Sequence, residues 1–562
     1  MTCIPKATTM PERHSPRRTR SSKLYQWLTS SVGAGISGLT AAFYLAKKAP
    51  GLPVTIYDSS PRVGGWIRTR HFETNKGKVE FESGPRTIRP VGDAFLVTTD
   101  IVTKLGIGDR LLLMTSHCAA ARRRYIYYPD KLTCVPTGIL SWDLSEPLFK
   151  GVFTGIIREP FRPGRPKEVT DEPVASWVSR RVHPNVAQNM VGAMLHGIYA
   201  GDVDQLSMKT LFPNLWRLEG DHGSVIRSFF KFSGVRKCPA SDWRLRRELV
   251  PLLRWHLNSF KKENAMMVSF IGGMEVLTRS LKAYLEKSSN IRFRLNTPVK
   301  SLVKKYSSIQ IHTTNNMPPA EFSHVISTLP APITSSLLPA PIPSLSIVES
   351  VTVQVVNLYF QNPNLVPVRG FGYLIPKTVA SELNPEQALG VIFDSETSLP
   401  ADLADIWREV PVEAPGTKLT VMMGGHYWKG RTTYPNDGEA LQNARNLIKR
   451  HLGIVDFPAL MQVSTQVNAI PQYTVGHHDR MAFGHELLRM YFNGRLAVAG
   501  SSYSGVGIND CTRSAYEVVR DLLEVGKPGG LKEEDWTGLH KFSGEEEIQS
   551  IPIGEFSQSF GV

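Results

Sequence analysis

Three glycines stand at G-x-G-x-x-G spacing in "SSVGAGISGLT": Gly33, Gly35 and Gly38. An acid, Asp58, follows 20 residues after Gly38 and ends the apolar stretch "PVTIYD". Bare backbone of this kind suits one task, close approach to a pyrophosphate. The first glycine permits the tight turn, the second lets the phosphates in, and the third lets a helix pack close to a sheet. The helix N-terminus then offers unpaired N–H groups to the anion. An acid at the end of the second strand is placed to bind ribose hydroxyls. The motif alone is weak, because glycine loops also serve purely structural turns.

The elements that must position these residues are a strand, a helix over 40–48 and a second strand over 53–58. The expected first strand, "YQWLTSS", is poor in aliphatics, and Ser30 and Ser31 sit where buried aliphatic side chains are usual. Further strands are predicted over 296–303, 324–329, 351–360, 371–375, 419–423 and 495–500. A helix is predicted over 509–524, and the polar, glycine-rich stretch beyond Gly526 reads as a loose tail. Alternating α/β signals at both ends with a different middle point to one nucleotide-binding domain built from separated pieces.

With 562 residues and an ordinary apolar fraction, the chain is long enough for several domains. Its net charge of +15 suits an anionic ligand or an anionic membrane surface. The five cysteines (Cys3, Cys118, Cys134, Cys238 and Cys511) are scattered without a C-x-x-C pair, which indicates neither a disulfide framework nor a zinc site. No metal-ligand cluster stands out. No apolar run is long enough to cross a membrane. Residues 1–29 are rich in Arg, Lys, Ser and Thr with one acid, Glu12, and read either as a mitochondrial presequence or as a basic tail.

"RVGGWIRT", just after Asp58, resembles the flavin-dependent amine oxidase superfamily, where an R-x-G-G motif runs along the flavin diphosphate. "PVKSLV", "HVISTLP" and "LAVAGSSYSGVGINDC" resemble later pieces of the same site. The resemblance implies FAD, held by Gly33, Gly35, Ile36, Ser37, Gly38, Asp58, Ser59, Arg62, Gly65, Trp66, Arg86, Val299, Gly500, Val506, Gly507 and Ile508. Val299 would meet the adenine through its backbone, Arg86 would lie near the flavin, and the helix after Gly507 would point at the flavin ring. A surface salt bridge is the plain alternative for Arg86.

"FESGPRTIRP", "HGIYAGDVDQLS", "GFGYLIP", "SFIGGMEVL", "AIPQYTVGH" and "GVGINDC" narrow the resemblance to the protoporphyrinogen oxidase family, over about residues 32–523. It implies FAD- and oxygen-dependent oxidation of protoporphyrinogen IX to protoporphyrin IX with release of hydrogen peroxide, the penultimate step of haem synthesis. Phe371 and Leu374 would wall the macrocycle and Arg124 would bind a propionate; strand core and a solvated run with Arg122 and Arg123 are the plain alternatives. The Gly197 carbonyl would receive the proton or orient the substrate. His196, beside it, has a side chain that titrates near neutrality when unperturbed, although a buried histidine is more often a structural hydrogen-bonder.

The implied fold class is α/β: a Rossmann-like FAD-binding domain assembled from discontinuous segments (30–115, 295–350 and 490–525), a mixed α+β substrate domain (116–141, 238–294 and 351–489) and a helical membrane-binding domain (142–237), with a loose tail at 526–562. In that helical segment Lys150, Arg158, Arg162 and Arg165 lie among Phe149, Phe153, Phe161, Trp216, Phe229 and Phe230. This suits monotopic attachment to a membrane surface, by resemblance the mitochondrial inner membrane; a solvated helical subdomain is the alternative. A homodimer and a hand-off of product to ferrochelatase are compatible with it, and no nucleic acid is expected. Competing readings are another flavin oxidase or desaturase (an amine oxidase, a carotenoid desaturase) or a non-catalytic lipid escort on the same fold. The intact glycines argue against the escort.

Overall fold

A computed structural model describes residues 29–552 apart from 137, 139–141, 144, 231–234, 316, 398–412 and 545–546. The basic segment read as a presequence or tail lies outside the described residues up to residue 28. Five parallel strands form the first sheet, in the order Ile291–Arg294, Val54–Tyr57, Thr29–Val32, His324–Ser327, Leu496–Val498. They come from three distant stretches of chain.

The unpromising first strand sits in the middle of this sheet, and Ser30 and Ser31 are fully buried. Close packing explains the serines. A Cβ on Gly38 would lie 1.8 Å from the Gly33 carbonyl oxygen and 3.0 Å from Ser31 Oγ. The helix Ile36–Lys48 therefore lies so near the strand that small side chains are required beneath it. Ser30 Oγ donates to Thr55 O at 3.1 Å, so its hydroxyl is not stranded. The helix itself is buried from Ile36 to Ala46, between the sheet and the helices Glu275–Glu286 and Ile508–Glu524.

The second large sheet has seven strands, in the order Leu460–Pro471, Ser350–Phe360, Thr417–Gly424, Ala388–Ile392, Gly372–Leu374, Tyr125–Tyr127, Leu132–Cys134. Its pairs are antiparallel except Gly372–Leu374 with Tyr125–Tyr127. The β-branched run Ser350–Phe360 is buried at every position after Ser350. Its neighbours pack with the helix Asp437–Leu452, which starts on a capping box of Asn436 and Glu439.

Short helices follow from Val152 to Phe230, held by a buried ionic cluster. Arg181 is fully buried and pairs with Glu159, and Glu219 accepts from Trp177 Nε1 at 2.7 Å and from Arg180. Glu159 also accepts from Ser224 Oγ (2.5 Å) and from the N–H groups of Val225 and Ile226 (3.0 and 3.1 Å). It thereby ties Val225–Phe230 against the turn Glu159–Phe161.

The loose tail expected over 526–562 is a misreading as far as residue 552. Trp536 is buried, donates from Nε1 to Val518 O at 2.8 Å, and meets His324 edge-on at 5.4 Å. Val498 N–H donates to Thr537 O at 2.9 Å, so the tail satisfies the open edge of the parallel sheet. Ile548–Pro552 pairs with Val235–Pro239. The polar composition hid one tryptophan with enough apolar area to fasten the segment.

Candidate functional site

The glycine loop leaves the central strand at Gly33, whose φ of +106° favours glycine. A Cβ there would strike Thr328 Oγ1 at 2.5 Å, so Thr328 of "HVISTLP" is part of the cradle, though sequence reasoning did not single it out. Asp58 accepts from Ala34 N–H at 2.7 Å and from Ser60 N–H at 2.8 Å, so its carboxylate fixes the loop. Ser59 lies between these two contacts in sequence. Thr297 N–H donates to Asp58 O (2.8 Å) and Asn296 N–H to Ser60 O (3.0 Å), which brings the segment leading to Val299 beside the acid.

The R-x-G-G turn lies directly on this loop. Gly64 N–H donates to Ala34 O at 2.8 Å, and a Cβ on Gly65 would lie 3.3 Å from Gly35 Cα. Above Gly35 itself a Cβ would meet nothing nearer than Gly65 Cα, at 4.0 Å. The groove is therefore open at the residue where a pyrophosphate needs room, and the chain fits a dinucleotide. Arg62 serves the turn from within: its guanidinium donates to the carbonyls of Val63 (3.1 Å), Ile67 (3.2 Å) and Gly65 (2.5 Å).

The third piece closes the groove. Gly500, at φ +116°, places its Cβ position 3.3 Å from Ser37 Oγ, and Ile508 begins the helix packed on Ile36–Lys48. Val506 stands between Gly505, whose N–H donates to Tyr473 Oη at 2.8 Å, and Gly507, whose N–H donates to Asp510 at 3.1 Å. Tyr473 thus holds the turn; it lies in the quoted "AIPQYTVGH" but was not marked as a site residue. Burial pushes the Asp510 carboxyl up from its ordinary value. Arg86 donates to Glu82 O (3.3 Å) in its own loop and also reaches the seven-stranded sheet. Its guanidinium donates to Thr420 Oγ1 (2.8 Å) and Asn357 Oδ1 (3.1 Å) and pairs with Asp394 at 2.9 Å, which anchors it on the seven-stranded sheet in a largely buried ion pair.

The other candidate residues gather where Gly372–Leu374 meets Tyr125–Tyr127. Phe371 N–H donates to Arg123 O at 2.9 Å, which seats Phe371 beside the arginine run. Gly372, at φ +139°, turns the chain there; a Cβ would strike Val391 O at 2.2 Å. Phe371 packs on Met114, Ala120 and Met267, while Leu374 packs on the helical segment and on Gly197. Arg122 and Arg123 are exposed, but Arg124 is half-buried and makes no ion pair with a carboxylate among the described residues. Burial, and then Arg89, lower its pKa. Such a cation suits an anionic group brought by a ligand. Half-buried apolar walls with a desolvated guanidinium suit a flat, apolar molecule carrying a carboxylate.

His196 does not titrate near neutrality. Burial, with His426 adding to it, brings the ring down to about 3. A cavity of about 610 Å³ lies apart from Arg124, Gly197, Phe371 and Leu374; among the candidate residues it touches only Trp66, and His426, Asp202 and Arg431 line it as well.

A dinucleotide groove assembled from four stretches of chain, set against a mixed sheet, is the plan of a flavoprotein oxidoreductase. The chain belongs to the family of flavin containing amine oxidoreductases, which matches residues 36–523. It is similar to the protoporphyrinogen oxidase of Schizosaccharomyces pombe, 34% identical over 88% of this chain and 98% of that one. Its similarity to the protoporphyrinogen oxidase of Homo sapiens is 32% over 88% of this chain and 97% of the other. A solved structure from Exiguobacterium sp. 255-15 superposes with a TM-score of 0.67 at 22% identity, over 88% of this chain and 98% of that one. Cyclohexylamine oxidase from Brevibacterium oxydans gives 0.58 at 14%, over 89% and 100%. At these identities the two structures speak for the fold alone. The chain is an FAD-dependent oxidase with a flavin amine oxidase-type α/β fold.

Proposed function

We propose that this oxidase converts protoporphyrinogen IX to protoporphyrin IX, with oxygen as the final acceptor and hydrogen peroxide as co-product. The observation that carries the reading is the near end-to-end match to protoporphyrinogen oxidases, at 32–34% identity over 97–98% of their lengths. The geometry around Arg124 supports it. The substrate is a flat, apolar macrocycle with carboxylate tails, and the half-buried guanidinium takes one of them by paired hydrogen bonds. Phe371 and Leu374 flank the ring, and Gly197, having no side chain, lets Leu374 sit close to the helix. FAD supplies the hydride acceptor when bound. Gly33, Gly35, Gly38 and Gly65 hold its diphosphate, Asp58 its ribose, and Val299 its adenine. The N-terminus of Ile508–Glu524 faces its ring, and the positive end of that helix favours negative charge on it.

The helical segment is the membrane-facing part in this reading. Ile156, Ile157, Phe161, Phe229 and Phe230 are exposed, and Glu159 holds their two short elements together. Exposed Lys150, Arg158 and Arg227 lie among them, a pattern that suits anionic headgroups. No helix among the described residues is long and apolar enough to cross a membrane. We place the enzyme on the mitochondrial inner membrane; deletion of residues 1–22 then abolishes import while sparing activity in vitro. Homodimer formation and hand-off to ferrochelatase are compatible with this placement.

Aerobic incubation of the purified protein with protoporphyrinogen IX tests the activity. Porphyrin fluorescence and peroxide should rise together. Turnover of amines in place of porphyrinogen would assign the chain to the amine-oxidising branch of its family.

A further inference from the structure

His196 precedes Gly197 on the helix Gly192–Tyr199, and its ring is buried against the seven-stranded sheet. Its Nδ1 lies 2.7 Å from the carbonyl oxygen of Ile375, the residue after Leu374. Its Nε2 lies 2.9 Å from Nε2 of His426, in the turn Gly425–Trp428. The partners fix the tautomers. A carbonyl only accepts, so His196 carries its hydrogen on Nδ1; its Nε2 is then a lone pair, and His426 must donate to it from Nε2. One directed chain results, from His426 through His196 to Ile375.

The same turn grips the helix end a second time. His426 N–H donates to Ala200 O at 2.8 Å, and Ala200 caps the helix in the left-handed conformation, with φ of 50°. Gly425 is needed there, since a Cβ would lie 2.3 Å from that same carbonyl. The helix end carrying Gly197 is thus fastened to one turn twice, by main chain and by the histidine pair, and through His196 to the residue that follows Leu374. Apolar packing alone would let the helix slide on the sheet. Two hydrogen bonds in series fix both its rotation and its height.

We propose that the His196–His426 pair is a positioning latch: it holds Gly197 against Leu374 and so fixes the wall that these two residues present to the porphyrinogen slot. The latch rests on the reading that those two residues line that slot. Neither histidine touches the reacting atoms, and their effect is on the fit of the macrocycle. His426 lines the 610 Å³ cavity, so its ring is reachable from outside while His196 is not.

The test uses the FAD-loaded full-length enzyme and three forms of it: wild type, His426→Ala and His426→Gln. Glutamine retains an N–H donor near the position of Nε2. His426→Ala should raise KM for protoporphyrinogen IX about tenfold, with kcat within about twofold, as expected for loss of one buried hydrogen bond that acts on binding. Flavin content and absorbance should be unchanged, and tryptophan quenching should report weaker binding of protoporphyrin IX. His426→Gln should recover most of the loss, and imidazole added to His426→Ala should lower KM again through the cavity. If His426→Ala does not accumulate as holoenzyme, His426→Leu, which fills the volume without the N–H, takes its place. An active wild type whose KM and product affinity are unmoved by these changes overturns the latch alone. A loss shared equally by alanine and glutamine also overturns it. A wild type inactive towards protoporphyrinogen overturns the functional reading, and the latch with it.

Discussion

Leu374 stands against the bare backbone of Gly197: a Cβ on Gly197 would lie 3.1 and 3.2 Å from the two Leu374 methyl carbons. Glycine here lets the Leu374 side chain pack directly on the helix, and the helix has no conformational need of it. Gly197→Val pushes Leu374 away. It should raise KM for protoporphyrinogen about tenfold, the scale set by overpacking a close contact, and leave the flavin spectrum intact. Steady-state kinetics beside an absorbance scan check this; unchanged KM would remove Gly197 from the slot.

Gly35 faces Gly65 across the mouth of the dinucleotide groove, with 3.3 Å between the Cβ position of Gly65 and Gly35 Cα. Gly35→Val places two methyls where the pyrophosphate must lie. The variant should purify folded and colourless, because the strand and helix around it do not depend on that space. Circular dichroism with flavin absorbance measures both properties. A folded variant with full flavin content would move the phosphate site elsewhere.

Arg124 is half-buried without a carboxylate partner among the described residues, whereas Arg122 and Arg123 are exposed. Arg124→Ala should raise KM about tenfold to a hundredfold, since hydrogen bonds to charged groups contribute ~1.5–3 kcal/mol. Arg124→Lys should recover only part of this, because an ammonium lacks the paired geometry. Arg122→Ala should be silent. If both alanine variants behave alike, Arg124 is an ordinary member of a solvated run.

His324 is buried at the edge of the tail, between Trp536 and Arg495. Burial, and then Arg495, bring it down to about 3, against an ordinary value near 6.5. The folded state therefore resists a proton that the unfolded state accepts. Its contribution is complete above about pH 6.5 and is lost as the pH falls from there towards 3. His324→Phe removes this sensitivity. Urea unfolding at pH 7 and pH 5 should show the wild type losing up to roughly 2 kcal/mol more than the variant. Equal losses would show that His324 is protonated in the fold.

Much of the dinucleotide side was legible in the sequence because backbone chemistry leaves a local record. Glycines at fixed spacing, an acid at a strand end and the R-x-G-G turn each announce themselves within a few residues. Ser30 and Ser31 did not fit that record, because their smallness answers a helix whose closeness is set by Gly38. The partners of Arg86 could not be read, because an arginine near a glycine turn gives no sign of them, and Asn357, Asp394 and Thr420 lie hundreds of residues away. The tail was misread because composition averages over Trp536. His426 was invisible for a related reason: a lone histidine in "GGHYWKGR" acquires its meaning only when a second one is folded 2.9 Å from it.

The most direct test of the central claim is a single turnover without oxygen. FAD-loaded enzyme is mixed anaerobically with protoporphyrinogen IX while flavin absorbance and porphyrin emission are followed together. The flavin should bleach as porphyrin emission appears, and admitting oxygen should restore the yellow colour with release of peroxide. A protein that binds FAD and stays oxidised in the presence of excess porphyrinogen would contradict the account.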